Sequence, residues 1–213
     1  MSKRASLLVA SFLFFAAVAS ASPITYGVTV NTSSIFGTVG SLDFNFNPGP
    51  LVTQSALLQT LNFTSDGVLA GACPGGLGDV SGQLPATITF DNGAGLNDYF
   101  DDFTFGSTIS FQVSLYGPAL SSPDGVSTSG STFAFGMFSD AAGTIPVLTT
   151  DTTDGFAFTV GVNLDGTTTV TNFSSQTDVG SGTSTIPEPS SLALLGMAMT
   201  SLGTRRFRQQ RRP

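Results

Sequence analysis

The stretch that decides the fold lies at residues 108–116 and reads TISFQVSLY. From Ile109 onward its apolar residues fall on every second position, and mainly polar residues stand between them. Successive side chains of a β-strand point to opposite faces of the sheet, so this period of two predicts a strand with one buried face. The stretch LDFNF at residues 42–46 repeats the pattern, with aspartate and asparagine on the second face.

The same alternation recurs along most of the chain, and clusters of Asn, Asp, Gly and Pro separate the segments. Further strands are predicted at residues 24–30, 56–63, 86–90, 103–105, 133–137, 145–150, 156–162 and 167–173. The tetrapeptide Asn163-Leu164-Asp165-Gly166 predicts a tight hairpin between the last two of these. Many short strands with such turns favour an all-β fold: a single antiparallel β-sandwich, jelly-roll-like, over residues 22–179 with a phenylalanine-rich core.

The N-terminal 21 residues predict a secretory signal peptide that forms a helix. Two basic residues at positions 3 and 4 precede the apolar stretch Leu7–Val18, and small residues follow it. Cleavage is expected after Ala21, or after Ala19. An uncleaved anchor is the alternative, but the apolar stretch is shorter than the roughly 20 residues that a membrane-spanning helix needs. The protein is therefore predicted to cross the inner membrane.

The C-terminal region divides into a Gly/Ser/Thr-rich linker at residues 180–186 and a tail at residues 187–213. The tail begins with Pro187-Glu188-Pro189 and continues into the apolar stretch Leu192–Met199, which predicts a short hydrophobic helix. The arginines that follow favour a cytoplasmic end by the positive-inside rule. They are Arg205, Arg206, Arg208, Arg211 and Arg212. The helix is short for a permanent anchor and suits a transient one.

These three elements, in this order, resemble the PEP-CTERM sorting signal of exopolysaccharide-producing Gram-negative bacteria. The resemblance implies that an exosortase, an integral-membrane cysteine transpeptidase, cuts near Pro187-Glu188-Pro189. It also implies delivery to the cell surface or the extracellular matrix and an association with exopolysaccharide. Thr200 and Ser201 depart from the family pattern by making the helix less apolar. An ordinary single-pass tail is the alternative.

The body has a family likeness of its own. Residues 24–26, 40–49 and 98–106 resemble a group of PEP-CTERM-tailed proteins with no assigned activity. This likeness implies a fold type and no mechanism.

The charge distribution excludes several classes of function. The chain has no histidine, and its seven basic residues all lie before Ala5 or after Thr204. An imidazole base, an imidazole metal ligand, a Schiff-base lysine and a basic nucleic-acid surface are therefore absent from the body. We expect a non-enzymatic protein that does not bind nucleic acid. A glycosidase remains the alternative, but it would need two carboxylates brought together from distant strands.

The densest group of oxygen ligands predicts a calcium site. Its members are Asp91, Asn92, Asp98, Asp101 and Asp102. Calcium binds carboxylate and carbonyl oxygens, so a calcium-dependent carbohydrate-binding module is the alternative function. Solvated turns would use the same residue types. The adjacent Asp101 and Asp102 would point to opposite faces of a strand, so they could not share one substrate.

Three further side chains are candidates for contacts. Tyr99 and Tyr116 stand at predicted strand ends, where a tyrosine either stacks on a sugar ring or packs at the rim of the core. The lone Cys73 cannot form an internal disulfide, so we expect a structural thiol or a bond to another molecule.

Overall fold

The computed structural model describes residues 23–70 and 76–180, and the backbone of residues 183–184. These residues belong to one compact unit, Ala21–Ile186. The predicted signal helix, Cys73 and the predicted C-terminal helix lie outside the described residues, as do the sorting motif and the arginines.

The described residues are mostly β-structure, with one 3₁₀ turn at Ser33–Ile35 and one α-helical turn, α1, at Pro118–Ser121. The strands are β1 (Ile24–Asn31), β2 (Val39–Pro48), β3 (Leu57–Ser65), β4 (Val68–Leu69), β5 (Val80–Gly82), β6 (Ile88–Asp91), β7 (Asp98–Thr104), β8 (Thr108–Tyr116), β9 (Ser131–Phe138), β10 (Phe156–Val162), β11 (Thr168–Asn172), β12 (Thr177–Val179) and β13 (Thr183–Ser184).

The strands form two antiparallel sheets. The first sheet has the order β12-β1-β8-β3-β6-β5, and β13 also pairs with β1. The second sheet has the order β11-β10-β9-β2-β7-β4. This arrangement is consistent with the predicted β-sandwich, and the all-β prediction is confirmed.

The period of two in the sequence matches the burial of the strands. In β8, Ile109, Phe111, Val113 and Leu115 are all buried. The strand pairs with β1 along the whole length of β1, from Ile24 opposite Leu115 to Asn31 opposite Thr108. A shift of one residue would turn the apolar set toward solvent, so the hydrophobic pattern fixes this register.

Phenylalanine rings from the two sheets meet in the core. The ring of Phe44 on β2 lies 5.4 Å from that of Phe111 on β8 and 4.9 Å from that of Phe135 on β9. Edge-to-face packing of this kind adds to the free energy gained by burying the rings. The aromatic residues of the core are Tyr26, Phe44, Phe46, Phe63, Phe90, Tyr99, Phe103, Phe105, Phe111, Phe133, Phe135 and Phe158. The predicted phenylalanine-rich core is confirmed.

The structure corrects the local predictions in three places. Residues 145–150 do not form a strand: the Asp140 carboxylate accepts the backbone N–H groups of Thr144 and Ile145 in a turn, and the segment pairs with β9 only through an isolated bridge at Pro146. Tyr99 is 1% exposed and belongs to the core, where it cannot stack on a sugar. The short strands β4, β5 and β12 were not predicted, because they have too few residues to show a period of two in the sequence.

The predicted hairpin at residues 163–166 is confirmed, since Gly166 donates its N–H to Asn163 and has a φ of 80°.

Within the predicted linker, the backbone of Thr183 and Ser184 pairs with Thr25 and Ile24 at the start of β1. Chain residues just before the tail therefore lie beside the first strand.

Replacing Phe44 by alanine should lower the free energy of unfolding by about 3–5 kcal/mol, because it leaves a cavity between rings of both sheets. Phe36, which is 67% exposed, provides the control, and Phe36→Ala should change the free energy of unfolding by less than about 0.5 kcal/mol. Urea denaturation monitored by circular dichroism measures both variants. Equal losses in the two variants would contradict the assignment of Phe44 to the core.

Candidate functional site

The outer side of the second sheet carries uncharged polar residues in cross-strand rows. Two rows of directly opposed residues run across β2, β9, β10 and β11. They are Asn45–Ala134–Thr159–Thr171 and Asn47–Thr132–Gly161–Thr169. Opposed residues of a sheet point to the same side. We call the six amide and hydroxyl side chains of these rows the polar face.

Hydrogen bonds hold the amides of the polar face in place. Asn47 Nδ2 donates to Asn45 Oδ1 at 3.5 Å, and Asn45 Nδ2 donates to the Asp43 carboxyl group at 3.3 Å. The backbone N–H of Asn97 donates to Asn47 Oδ1 at 2.6 Å. At the other end of the face, Asn163 Nδ2 donates to Thr169 Oγ1 at 2.9 Å. The outer side therefore presents ordered donors and acceptors before any ligand binds.

A pair of carboxyl groups closes the β7 side of the polar face. Asp98 on β7 lies opposite Asn45, and Asp43 lies two residues before Asn45 on β2. The two aspartates are thus diagonal neighbours, and their carboxyl groups share a hydrogen bond. Two carboxyl groups can bond in this way only when one of them carries a proton. Asp98 Oδ1 is buried and has no hydrogen-bond partner among the described residues.

The environment of the pair favours the protonated state of Asp43. Burial, the hydrogen bond with Asp98 and the charge of Asp98 raise the pKa of Asp43 to about 8, and the Asn45 amide opposes them. Near neutral pH the protonated form of Asp43 is therefore favoured.

A second acidic group is buried inside the sandwich. Asp101 lies on the inner side of β7 and is 3% exposed. The Tyr99 hydroxyl donates to Asp101 Oδ2 at 2.9 Å and accepts the N–H of Leu84 at 3.0 Å. Burial raises the pKa of Asp101, and the hydrogen bond from Tyr99 acts in the opposite direction. The neighbouring Asp102 points outward, as the alternation predicts.

The five residues of the predicted calcium site occupy different environments. Asp98 and Asp102 lie on the outer side of the second sheet, Asp101 lies in the core, and Asp91 ends β6 in the first sheet. The Asn92 side chain accepts the N–H of Ala56 and donates to Gln54 and Ser131. Across residues 23–70 and 76–180, no group of three or more acidic or Cys side chains could hold a metal ion.

Most other aspartates stabilise turns. Carboxylates of this set accept backbone N–H groups, often from the residue two positions later. They are Asp66, Asp91, Asp124, Asp140, Asp151 and Asp165. These bonds to the charged form, together with hydroxyl donors, hold the pKa values of Asp66, Asp124, Asp140 and Asp165 below the usual range.

A shallow depression lies beside α1. Its lining includes Thr53, Ser129 and Asn163, and the described residues around it carry no ionisable side chain. The depression therefore offers hydrogen-bonding groups and does not bring two carboxylates together.

The comparisons with known proteins concern the tail. A PEP-CTERM protein-sorting motif matches residues 185–211, which confirms the resemblance seen in the sequence. The chain therefore carries a signal for export, transient membrane anchoring and exosortase-dependent sorting to the cell exterior. No curated protein and no solved structure matches the chain. The likeness of the body to other tailed proteins stays a prediction.

In the part of the chain that the structure describes, no helix is long and apolar enough to cross a bilayer.

Sequence reasoning missed the Asp43–Asp98 pair and the polar face. The sequence shows Asp43 as an acidic residue within a segment of alternating polarity. Which residue lies beside it on the next strand depends on the order of the strands in the sheet. The 54 positions between Asp43 and Asp98 contain no signal that places β7 next to β2. Both features depend on strand order.

The carboxyl pair predicts a stability that falls as the pH rises. The pKa of Asp43 is higher in the folded protein than the value of about 3.9 in an unfolded chain. The folded state therefore binds more protons, and the free energy of unfolding should decrease between about pH 4 and pH 8. Asp43→Asn should reduce this decrease while it keeps a hydrogen bond to Asp98. Denaturation in urea at several pH values measures the slope.

The control is Asp178→Asn, which removes a charge from an exposed position on β12. This variant should keep the wild-type slope. Below about pH 4 all three proteins should lose stability, because the turn aspartates with lowered pKa values become protonated. An unchanged slope in Asp43→Asn would contradict a shared proton.

Proposed function

We propose that this protein is a non-enzymatic component of the cell surface or extracellular matrix that associates with exopolysaccharide. The observation that carries the proposal is the PEP-CTERM protein-sorting motif at residues 185–211. That motif accounts for sorting to the exterior, and the structure of the body supports the rest of the proposal.

The use of the aspartates supports a role without catalysis. Six of the thirteen aspartates in the body accept backbone N–H groups, five of them within turns, and Asp101 is enclosed in the core. The Asp43–Asp98 pair resembles the carboxyl pairs of acid–base catalysis in sharing a proton. Its groups are in hydrogen-bonding contact, whereas glycoside hydrolysis uses carboxyl groups about 5–10 Å apart. This geometry argues against glycoside hydrolysis and fits a role in holding β2 against β7.

The strand order supports the finer prediction of a jelly-roll-like sandwich. The first sheet contains the strand order β1-β8-β3-β6, and the second sheet ends with the order β2-β7-β4. Within each sheet, strands from early and late in the chain are thus neighbours. This is the order that results when a long hairpin is wound into two Greek keys. Strands β9 to β11 extend the second sheet and widen its outer side.

The polar face supports contact with polysaccharide. Its threonine hydroxyls and asparagine amides form a set of donors and acceptors without charge, on strands that are fixed by the sheet. Sugar hydroxyl groups bond well to such side chains, and their binding here would require no cation. A body with thirteen aspartates and no basic residue would repel an acidic polymer, so the proposed ligand is a neutral polysaccharide.

The sorting step predicts the ends of the mature protein. Protein recovered from the cell surface should begin at Ser22, or Ser20, and should lack the arginines at positions 205–212. Glu188→Gln removes the carboxylate of the motif, so the variant should stay in the membrane fraction with its arginines. Intact-mass spectrometry of each fraction measures the outcome.

Gln209→Ala is the control, since it alters the arginine-rich tail without removing a charge or touching Pro187-Glu188-Pro189. It should be processed like the wild type. Wild-type surface protein that retains its complete tail would overturn the proposed sorting.

The polar face predicts a binding defect that a matched control does not share. Thr132→Glu places a large charged side chain in the centre of a row and should reduce retention on immobilised neutral exopolysaccharide at least about fivefold. Thr29→Glu makes the same change at an exposed position of β1, on the first sheet, and should bind like the wild type. Equal retention of both variants would exclude the polar face and leave the sorting proposal intact.

A further inference from the structure

The last strand of the second sheet has an open edge. Strand β11 pairs with β10 on one side, from Thr168 opposite Val162 to Asn172 opposite Phe158. Its residues 169–172 are all exposed. On the other side, the described residues include no strand that pairs with β11.

The hydrogen-bond pattern identifies the free backbone groups. Asn163 donates its N–H to Thr167, and Phe173 donates its N–H to Ala157. Antiparallel ladders alternate between bonded and non-bonded pairs, so the bonded pairs of β11 include Thr169 and Thr171. The N–H and C=O groups of Thr168, Val170 and Asn172 therefore point away from β10 and can pair with another strand.

This edge lacks the usual protection against pairing. Proteins protect edge strands by making them short or by placing lysine, proline or a bulge in them. The other edge strands of the described region, β4, β5, β12 and β13, have two or three residues each, whereas β11 has five. Its sequence, TTVTN, contains no charge and no proline. The register with β10 is regular along all of these residues.

The side chain of Val170 is also incompletely covered. It lies opposite Val160, which is 0% exposed in the core, yet Val170 is 36% exposed because its strand is the last of the sheet. A further strand alongside β11 would bury the remaining apolar surface of Val170.

We propose that β11 pairs with β11 of a second copy of this chain, antiparallel and about a two-fold axis at Val170. In this register Val170 lies opposite Val170 of the second copy, and Thr168 lies opposite Asn172. Each opposed pair exchanges both of its backbone hydrogen bonds, and the two valines cover each other. The second sheets of the two copies then form one continuous sheet.

Charge opposes contact between two copies over most of their surface but not at the β11 edge. The body carries thirteen aspartates without a basic residue, so two copies repel each other over most of their surface. Residues 166–177 contain no ionisable side chain, so β11 and its flanking residues can meet without opposing like charges. The remaining repulsion is long-range and is screened by salt. The association is therefore expected to be weak at low ionic strength and stronger at high ionic strength.

Sedimentation equilibrium of the full chain in mild detergent tests the proposal. We expect a monomer–dimer equilibrium whose Kd falls about tenfold or more between 0.05 and 0.5 M NaCl. Val170→Lys places two cations opposite each other at the centre of the interface and should raise Kd at least about tenfold. Leu164→Lys adds the same charge at the nearby hairpin tip, away from the edge, and should not raise Kd.

Amide hydrogen exchange then locates the interface independently of any substitution. In the monomer the amides of Thr168, Val170 and Asn172 should exchange quickly, while those of Thr169 and Thr171 are protected by β10. In the dimer all five should be protected. A monomer at every salt and protein concentration, or a dimer that Val170→Lys leaves unchanged, would overturn the proposal. Protection of Val170 in the dilute monomer would also overturn it, because another part of the same chain would then cover the edge.

Discussion

The acidic groups of this domain have no basic side chain to pair with, and this constraint shapes much of the structure. Between Ala5 and Thr204 the chain has thirteen aspartates and one glutamate, and no lysine, arginine or histidine. Each carboxyl group must therefore be solvated, bonded to N–H or hydroxyl donors, or protonated. The structure uses all three. Turn aspartates bond to backbone N–H groups, Asp101 bonds to the Tyr99 hydroxyl, and burial beside Asp98 raises the pKa of Asp43 and favours its protonated form.

The same constraint accounts for the use of aspartate rather than glutamate as the acidic residue of this domain. An aspartate carboxylate reaches the backbone N–H of the residue two positions later, whereas the longer glutamate side chain fits such turns less well. Asp124 bonds to Val126, Asp151 to Thr153 and Asp165 to Thr167 in this way. The acidic composition thus serves the connections of a domain with many short strands, and it gives the domain a high negative charge outside the cell.

The core joins the two sheets through apolar contacts between strands that lie far apart in the sequence. Large rings fill the space between sheets with few residues, and Phe44 contacts rings from both sheets. With β2 fixed in this way, its outward residues fall into register with β7 and β9. The polar face and the Asp43–Asp98 pair follow from that register. Packing on the inner side therefore determines which groups meet on the outer side.

The sequence by itself determined the class of fold and the route of the protein. Alternation at residues 42–46 and 109–115 specifies strands with one buried face, because side-chain direction in a strand depends only on position along the chain. The tail was recognisable because its motif, apolar stretch and arginines are contiguous in sequence. Tertiary structure alone decided that Tyr99 is buried and that Asp43 meets Asp98. It also decided that β11 ends a sheet. Each of these depends on which distant strands become neighbours, and that choice is made by packing of the whole core.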